Sequence, residues 1–414
     1  MGDVLSDREK QRKEEFKETQ RLFNRTYPSR NGLKIPEIMV LYYARTFTTE
    51  QTDFQSFWYY KYAVDNPKAV LQMLWDKGFI CPAPAKESLS KFKVPELKEI
   101  LKELNLKVSG SKNELLQRIS ENAADEFLNQ RITDRVFELT PLGEQELKDN
   151  EYVGYFHNQI DWYLISQGID IFWVNKQMHE HPDIKYRDLI WGELNKRSVE
   201  TMKDIQNGRY GGYIFYRNIM AKFLMEEKNQ LVSALKLSAE AIYYQVNSSS
   251  YNEYLRLQID YQRTLELRTG DLFDRETIIR LEPDIYSSFR IDTTIIKGIA
   301  DNLELSDNQL FQKLINIFGA FHAPKQIISN EDLSGFVVSL INGSEENVEN
   351  VYNQLHDTIK KEAETQYKQE KKFEQEHGIT ITQPSSHNNR KSKGGCITSV
   401  VSVLAIIGII ITFM

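Results

Sequence analysis

The chain has 414 residues and a formal net charge of −7 at pH 7, long enough for two or three domains and too acidic for overall basicity to mark a nucleic-acid binder. Apolar residues make up 41% and charged residues 27%, which permits sizeable cores and excludes disorder throughout. Glycine (20) and proline (11) are scarce, which favours helices, and two cysteines, Cys81 and Cys396, exclude a disulfide scaffold and a cysteine-built zinc centre.

In chain order, residues 1–26 read as a charged, solvated helix. The segment is dense in both signs of charge, and Leu5, Phe16, Leu22 and Phe23 form one weak docking stripe. No apolar segment opens the chain, so no secretory leader is expected. Residues 27–87 and 132–150 read as two parts of one small base. A helix over 69–77 ends at Gly78 and runs into Phe79-Ile80, while Val136–Thr140 is a strand leading into a helix that contains Gly143 and Leu147. Together these two pieces are similar to the close of a winged helix, with the intervening residues inserted where the wing tip would lie.

That insertion, 88–131, carries the strongest functional pattern. Residues 89–119 read LSKFKVPELKEILKELNLKVSGSKNELLQRI. Pro95 suits the first turn of a helix whose buried stripe is Leu97, Leu101 and Leu104. Leu106 and Val108 close the core from a linker. Gly110 permits a turn, and Ser111 with Glu114 forms a capping box that opens a second helix holding Leu115 and Ile119. Between 88 and 119 seven basic residues face four acids, a local net of +3 within an acidic chain.

The segment resembles the SAP domain, a helix–extended linker–helix DNA-binding module. Val94, Glu96-Leu97-Lys98, Leu101, Leu106, Ser109-Gly110, Lys112, Leu115 and Arg118-Ile119 carry the likeness. It departs at Asn105, where the family usually has glycine; asparagine tolerates left-handed backbone. The resemblance implies contacts to AT-rich duplex DNA. The residues expected to make them are Lys98, Lys102, Lys107, Gly110, Ser111, Lys112 and Arg118, with a phosphate at the second helix's N-terminus. The layout is also similar to bacterial and phage proteins with one SAP segment and a helical C-terminal half, a likeness that brings no activity with it.

Residues 151–377 read as a helical domain with an irregular, repeat-like arrangement. The clearest pair of helices lies in YRNIMAKFLMEEKNQLVSALKLSAEAIYYQ; later Val348, Val351, Leu355 and Ile359 repeat at helical spacing, and the charged run after them suggests a helical stalk or exposed face. Residues 378–395 are a polar linker. Residues 396–414 read as a single transmembrane helix. Ile397 to Met414 holds no charge, and as a helix it spans about 27 Å, near the hydrocarbon thickness of a bilayer. Its lipid-facing residues are Ile397, Val400, Val401, Leu404, Ile407, Ile410, Ile411 and Phe413. Arg390, Lys391 and Lys393 precede it, so the bulk of the chain is expected on the cytoplasmic side, with the tail as anchor.

The fold expected is therefore mainly α: a winged-helix-like N-terminal region with an inserted module, a helical C-terminal domain and one membrane helix. No Walker loop, G-x-G-x-x-G or H-E-x-x-H motif occurs. His179 and His181 in HEHPD lack a third ligand at metal spacing and read as a turn. No enzyme, metal site or cofactor is expected. The leading function is a membrane-tethered DNA-binding adaptor whose partners are duplex DNA, a lipid bilayer and a protein held by the helical domain. The alternative is a membrane-anchored helical scaffold whose SAP-like module serves protein contact only.

Overall fold

The computed structural model describes residues 2–158, 162–267 and 282–378. It is mainly helical, with a single two-stranded sheet among the described residues. The described residues divide into two compact units, those within 2–253 and 285–355, and those within 254–284 and 356–378.

In the first unit, α1 (Gly2–Asn24) is held by the stripe its sequence offers. Phe23 enters the core, and Phe16 stacks on Tyr59 with ring centroids 4.3 Å apart. The small base follows as α2 (Ile35–Tyr43), α3 (Phe57–Tyr62) and α4 (Pro67–Asp76), then β1 (Ile80–Pro82) and, after the insertion, β2 (Phe137–Leu139) and α9 (Pro141–Asp149). β1 and β2 pair antiparallel in the register Ile80↔Leu139, Cys81↔Glu138, Pro82↔Phe137. Thr48, in the connection between α2 and α3, bridges Val136 just before β2. The strand ends are thus joined, and residues 83–136 leave and re-enter the base at one place.

Gly143 explains part of the pattern around β2. A Cβ there would lie 2.1 Å from the carbonyl oxygen of Phe79, so only glycine lets α9 approach the chain this closely. Thr140 caps the same helix, accepting from the Gly143 amide at 3.2 Å.

The base shares its core with the helices that follow. Leu33, Ile38, Leu41, Trp58, Leu74 and Phe79 belong to one buried cluster with Tyr152, Val174, Ile190, Leu194 and Phe223. One buried cluster thus runs across residue 150. Beside this core His157 sits between two tyrosines, with Tyr43 Oη 2.6 Å from Nε2 and Tyr62 Oη 2.5 Å from Nδ1. Burial, with the nearby Lys61 ammonium, holds its pKa below the usual 6.5.

The helix pair expected near residue 225 is present as Gly211–Glu226 and Leu231–Tyr244. The second of these does not stop where its apolar periodicity fades. It continues through a π-helical turn, Gln245–Ser250, into Tyr251–Leu267. Buried Asn247 fixes that turn by accepting from the amides of Ile327 (3.0 Å) and Ile328 (3.4 Å).

In the second unit Ile359, Ala363 and Tyr367 are buried along one stripe of the helix Glu345–His377. Arg263 pairs with Glu370, and Lys371 with Glu266 at 3.2 Å. Among the described residues no helix is long and apolar enough to cross a membrane. The expected membrane helix, with Ile397, Val400, Val401, Leu404, Ile407, Ile410, Ile411 and Phe413, lies outside the described residues, as does the linker beyond Gly378.

Candidate nucleic-acid interface

The inserted segment folds around a core of its own. Four helices build it: α5 (Ala85–Ser88), α6 (Val94–Glu103), α7 (Lys112–Asn122) and α8 (Asp125–Arg131). Ala85, Leu89, Leu97, Ile100, Leu101, Leu115, Ile119, Leu128 and Ile132 are buried together, with Leu104, Leu106 and Val108 half-buried against them. The stripe on α6 differs from expectation by one position. Ile100 is fully buried, whereas Leu104 caps the helix after it ends at Glu103 and stays half-buried.

Each terminus follows from local chemistry. At the start of α6 the Glu96 carboxylate accepts from the Lys93 amide at 2.5 Å. At the start of α7 the capping box is formed: Ser111 Oγ accepts from the Glu114 amide (3.4 Å), and Glu114 Oε2 accepts from the Ser111 amide (2.7 Å). These Ser111 hydrogen bonds, the backbone one foremost, hold the Glu114 carboxyl below its usual pKa. Gly110 precedes the cap at φ +136°, and a Cβ there would lie 2.7 Å from Glu114 Oε2. Asn105 adopts φ +58°, the left-handed backbone for which the family usually has glycine.

Ser88 and Lys91 bond the module to the base, and further bonds within the base close the point where the module leaves and re-enters it. Buried Ser88 accepts from the Val136 amide at 3.0 Å, and the Ala83 amide donates to the Val136 carbonyl at 2.8 Å. Lys91 Nζ donates to the Thr46 carbonyl (3.3 Å), and Asp134 accepts from Thr48 Oγ1 (2.9 Å) and the Glu50 amide (2.9 Å). These bonds give the module a fixed attachment in place of a flexible tether.

The expected contact residues divide into four groups. Lys102 and Lys107 are exposed and Lys98 is half-buried; none of the three has an ion-pair partner among the described residues. Lys112 is exposed and donates to the Ser90 carbonyl at 2.9 Å, which leaves two of its three N–H bonds for another acceptor. Arg118 is turned back onto the linker, where its Nη1 donates to the carbonyls of Lys107 and Ser109 (3.1 Å to the latter). Gly110 and Ser111 shape the N-terminus of α7, but the Ser111 amide is already taken by Glu114, so an anion there would meet the amides of Lys112 and Asn113.

Sequence reasoning missed Arg131 on α8. It donates to Glu103 at 3.1 Å and lies 3.9 Å from Glu99, so it partners two of the three acids on α6. The signal lay in the spacing: Glu99 and Glu103 are one turn apart on a single stripe, beside the stripe of Lys98 and Lys102. Among the described residues no group of three or more His, Cys, Asp or Glu is placed to hold a metal ion.

Compared with known families, residues 88–122 match the SAP domain. The chain therefore carries a SAP domain, which occupies under a tenth of its length. No curated protein and no solved structure matches the chain.

Proposed function

We propose that this chain is a membrane-tethered DNA-binding adaptor, in which the SAP domain holds duplex DNA, the helical region holds a protein partner and the apolar segment 397–414 anchors both to the cytoplasmic face of a membrane. The observation that carries the DNA part is the unpaired lysine group of Lys98, Lys102, Lys107 and Lys112 on a module matched to the SAP domain. Four such cations in a local basic patch fit a phosphate backbone, with modest affinity that falls as salt rises. The paired β1 and β2 strands, with the Thr48–Val136 bridge, support reading residues 27–87 and 132–150 as a winged-helix-like base whose wing carries the module. The anchor rests on the sequence of 397–414 and its basic flank, Arg390, Lys391 and Lys393. No catalytic role is assigned to any residue.

One experiment tests both halves. The full chain is reconstituted into neutral phosphatidylcholine vesicles, an AT-rich duplex is added, and the vesicles are floated on a density gradient. The duplex is expected to float with the parent. Without residues 397–414 the protein stays below with the duplex. With the four lysines changed to alanine the protein floats alone. A parent that never enters the vesicle fraction refutes the anchor; a parent that floats without the duplex refutes the DNA reading and favours the scaffold.

A further inference from the structure

We infer that Arg118 is a positioning residue for duplex binding, which acts by holding the linker of the SAP domain and not by touching phosphate; this rests on the DNA reading above. Between α6 and α7 the chain from Leu104 to Ser111 has no helix or strand. Its two turning points, Asn105 (φ +58°) and Gly110 (φ +136°), lie near either end. Between them the side chains alternate: Leu106 and Val108 are half-buried against the core, while Lys107 and Ser109 are exposed.

Such a segment has its apolar side fixed by packing and its polar side fixed by little else. The carbonyls of Lys107 and Ser109 accept no backbone hydrogen bond among the described residues. Arg118, one turn beyond Glu114 on α7, reaches both through a single guanidinium nitrogen. A planar guanidinium on a half-buried stem suits this bridging, whereas a lysine ammonium would hold such a pair with less order. The consequence falls on Lys107, the cation at the centre of the linker. With its own carbonyl tied down, its ammonium is presented from a fixed backbone, and less freedom is lost when a phosphate binds.

The proposal separates from a direct contact by its response to salt. Each lost phosphate contact lowers the slope of log affinity against log salt by about 0.9. Duplex binding by the full chain is measured over a salt series for the parent, Arg118→Met, Arg118→Lys and Lys107→Ala. Arg118→Met and Arg118→Lys are both expected to weaken binding by roughly threefold to tenfold, the cost of ordering one freed segment, with an unchanged slope. Lys107→Ala is expected to lower the slope by about one contact. With Lys107 already alanine, adding Arg118→Met is expected to have little further effect, because the side chain that Arg118 positions is gone. Circular dichroism confirms that helix is retained, and Arg118→Lys keeps the test sound should the methionine variant lose it. A slope that drops by one contact in Arg118→Met, or parent-like affinity in Arg118→Lys, overturns the proposal and leaves the DNA reading standing. If the parent itself fails to bind the duplex, both fall together.

Discussion

The SAP domain and the helical region that follows it use their positive charges in opposite ways. In the helical region Arg197 pairs with Glu193 (2.8 Å), Arg217 with Glu240 (3.1 Å), Lys228 with Asp188 (2.5 Å), and Arg187 with both Glu151 (2.7 Å) and Glu227 (3.1 Å). Arg197 and Glu193 pair within one helix, whereas the pairs of Arg217, Lys228 and Arg187 join different parts of the helical region. In the module the pairing runs the other way: one arginine, Arg131, partners two acids, and seven lysines, Lys98, Lys102, Lys107 and Lys112 among them, have no ion pair among the described residues. Arg131 thereby engages Glu99 and Glu103, the acids that neighbour Lys98 and Lys102 on α6. The cores differ too. The base and helical region share one large core, whereas the module depends on nine buried residues.

The largest effect that breaks this contrast is on the small core. Leu101→Ala removes a fully buried side chain and is expected to cost about 2–5 kcal/mol, enough to unfold a module this size. Hydrogen exchange followed by mass spectrometry should show protection lost over residues 85–132 and retained at Leu41 and Leu74. Protection lost everywhere would mean that the module and base fold as one unit.

Next is the charge itself. Lys107→Ala together with Lys112→Ala is expected to weaken duplex binding at least tenfold at low salt and to lower the salt slope by about two phosphate contacts, as read by fluorescence anisotropy. The helix content should not change, since neither side chain enters the core.

Titration sharpens the comparison through two separate pH windows. Glu114 in the module has a lowered pKa, so the stability it contributes is present above the ordinary 4.5 and is lost as pH falls through its depressed folded value. His157 beside the base also has a lowered pKa, so its neutral form is favoured by folding. Its contribution is complete above 6.5 and declines as pH falls from 6.5 towards the folded value. Hydrogen exchange at a series of pH values should therefore show the base loosening first, below 6.5, with the module unchanged until below 4.5. His157→Gln should remove the upper transition and leave the lower one.

The smallest expected effect is at Arg131. Its partners are substantially exposed, so Arg131→Ala should leave stability nearly unchanged. It leaves Glu99 and Glu103 without their cation beside Lys98 and Lys102, and duplex affinity is expected to fall about twofold at low salt and to be unchanged at high salt.

How much of this was legible in the sequence depended on how local the cause was. The capping box at Ser111 and Glu114, the turn at Gly110 and the left-handed Asn105 are decided within a few residues, and the pattern exposed them directly. Gly78 marked the end of the helix before β1, and the structure supplies the reason for Gly143, in the helix after β2, in a contact with Phe79. What the pattern concealed depends on distant partners. The π turn at 245–250 is held by Asn247 against residues about eighty positions away. Arg118 was expected among the DNA contacts, and only the folded linker shows its hydrogen bonds to the carbonyls of Lys107 and Ser109. Arg131 lies past the end of the recognised pattern at 122, so nothing in that pattern pointed to it.

The central claim is that four unpaired lysines of the SAP domain bind duplex DNA. The most direct test is the salt dependence of duplex binding by the full chain, compared with a variant carrying Lys98→Ala, Lys102→Ala, Lys107→Ala and Lys112→Ala. The parent is expected to bind with a log–log slope of about −2 to −4, as for two to four neutralised phosphates, and the variant to lose measurable binding while keeping its helix content. Equal binding by parent and variant, or a slope that does not change between them, would contradict the account.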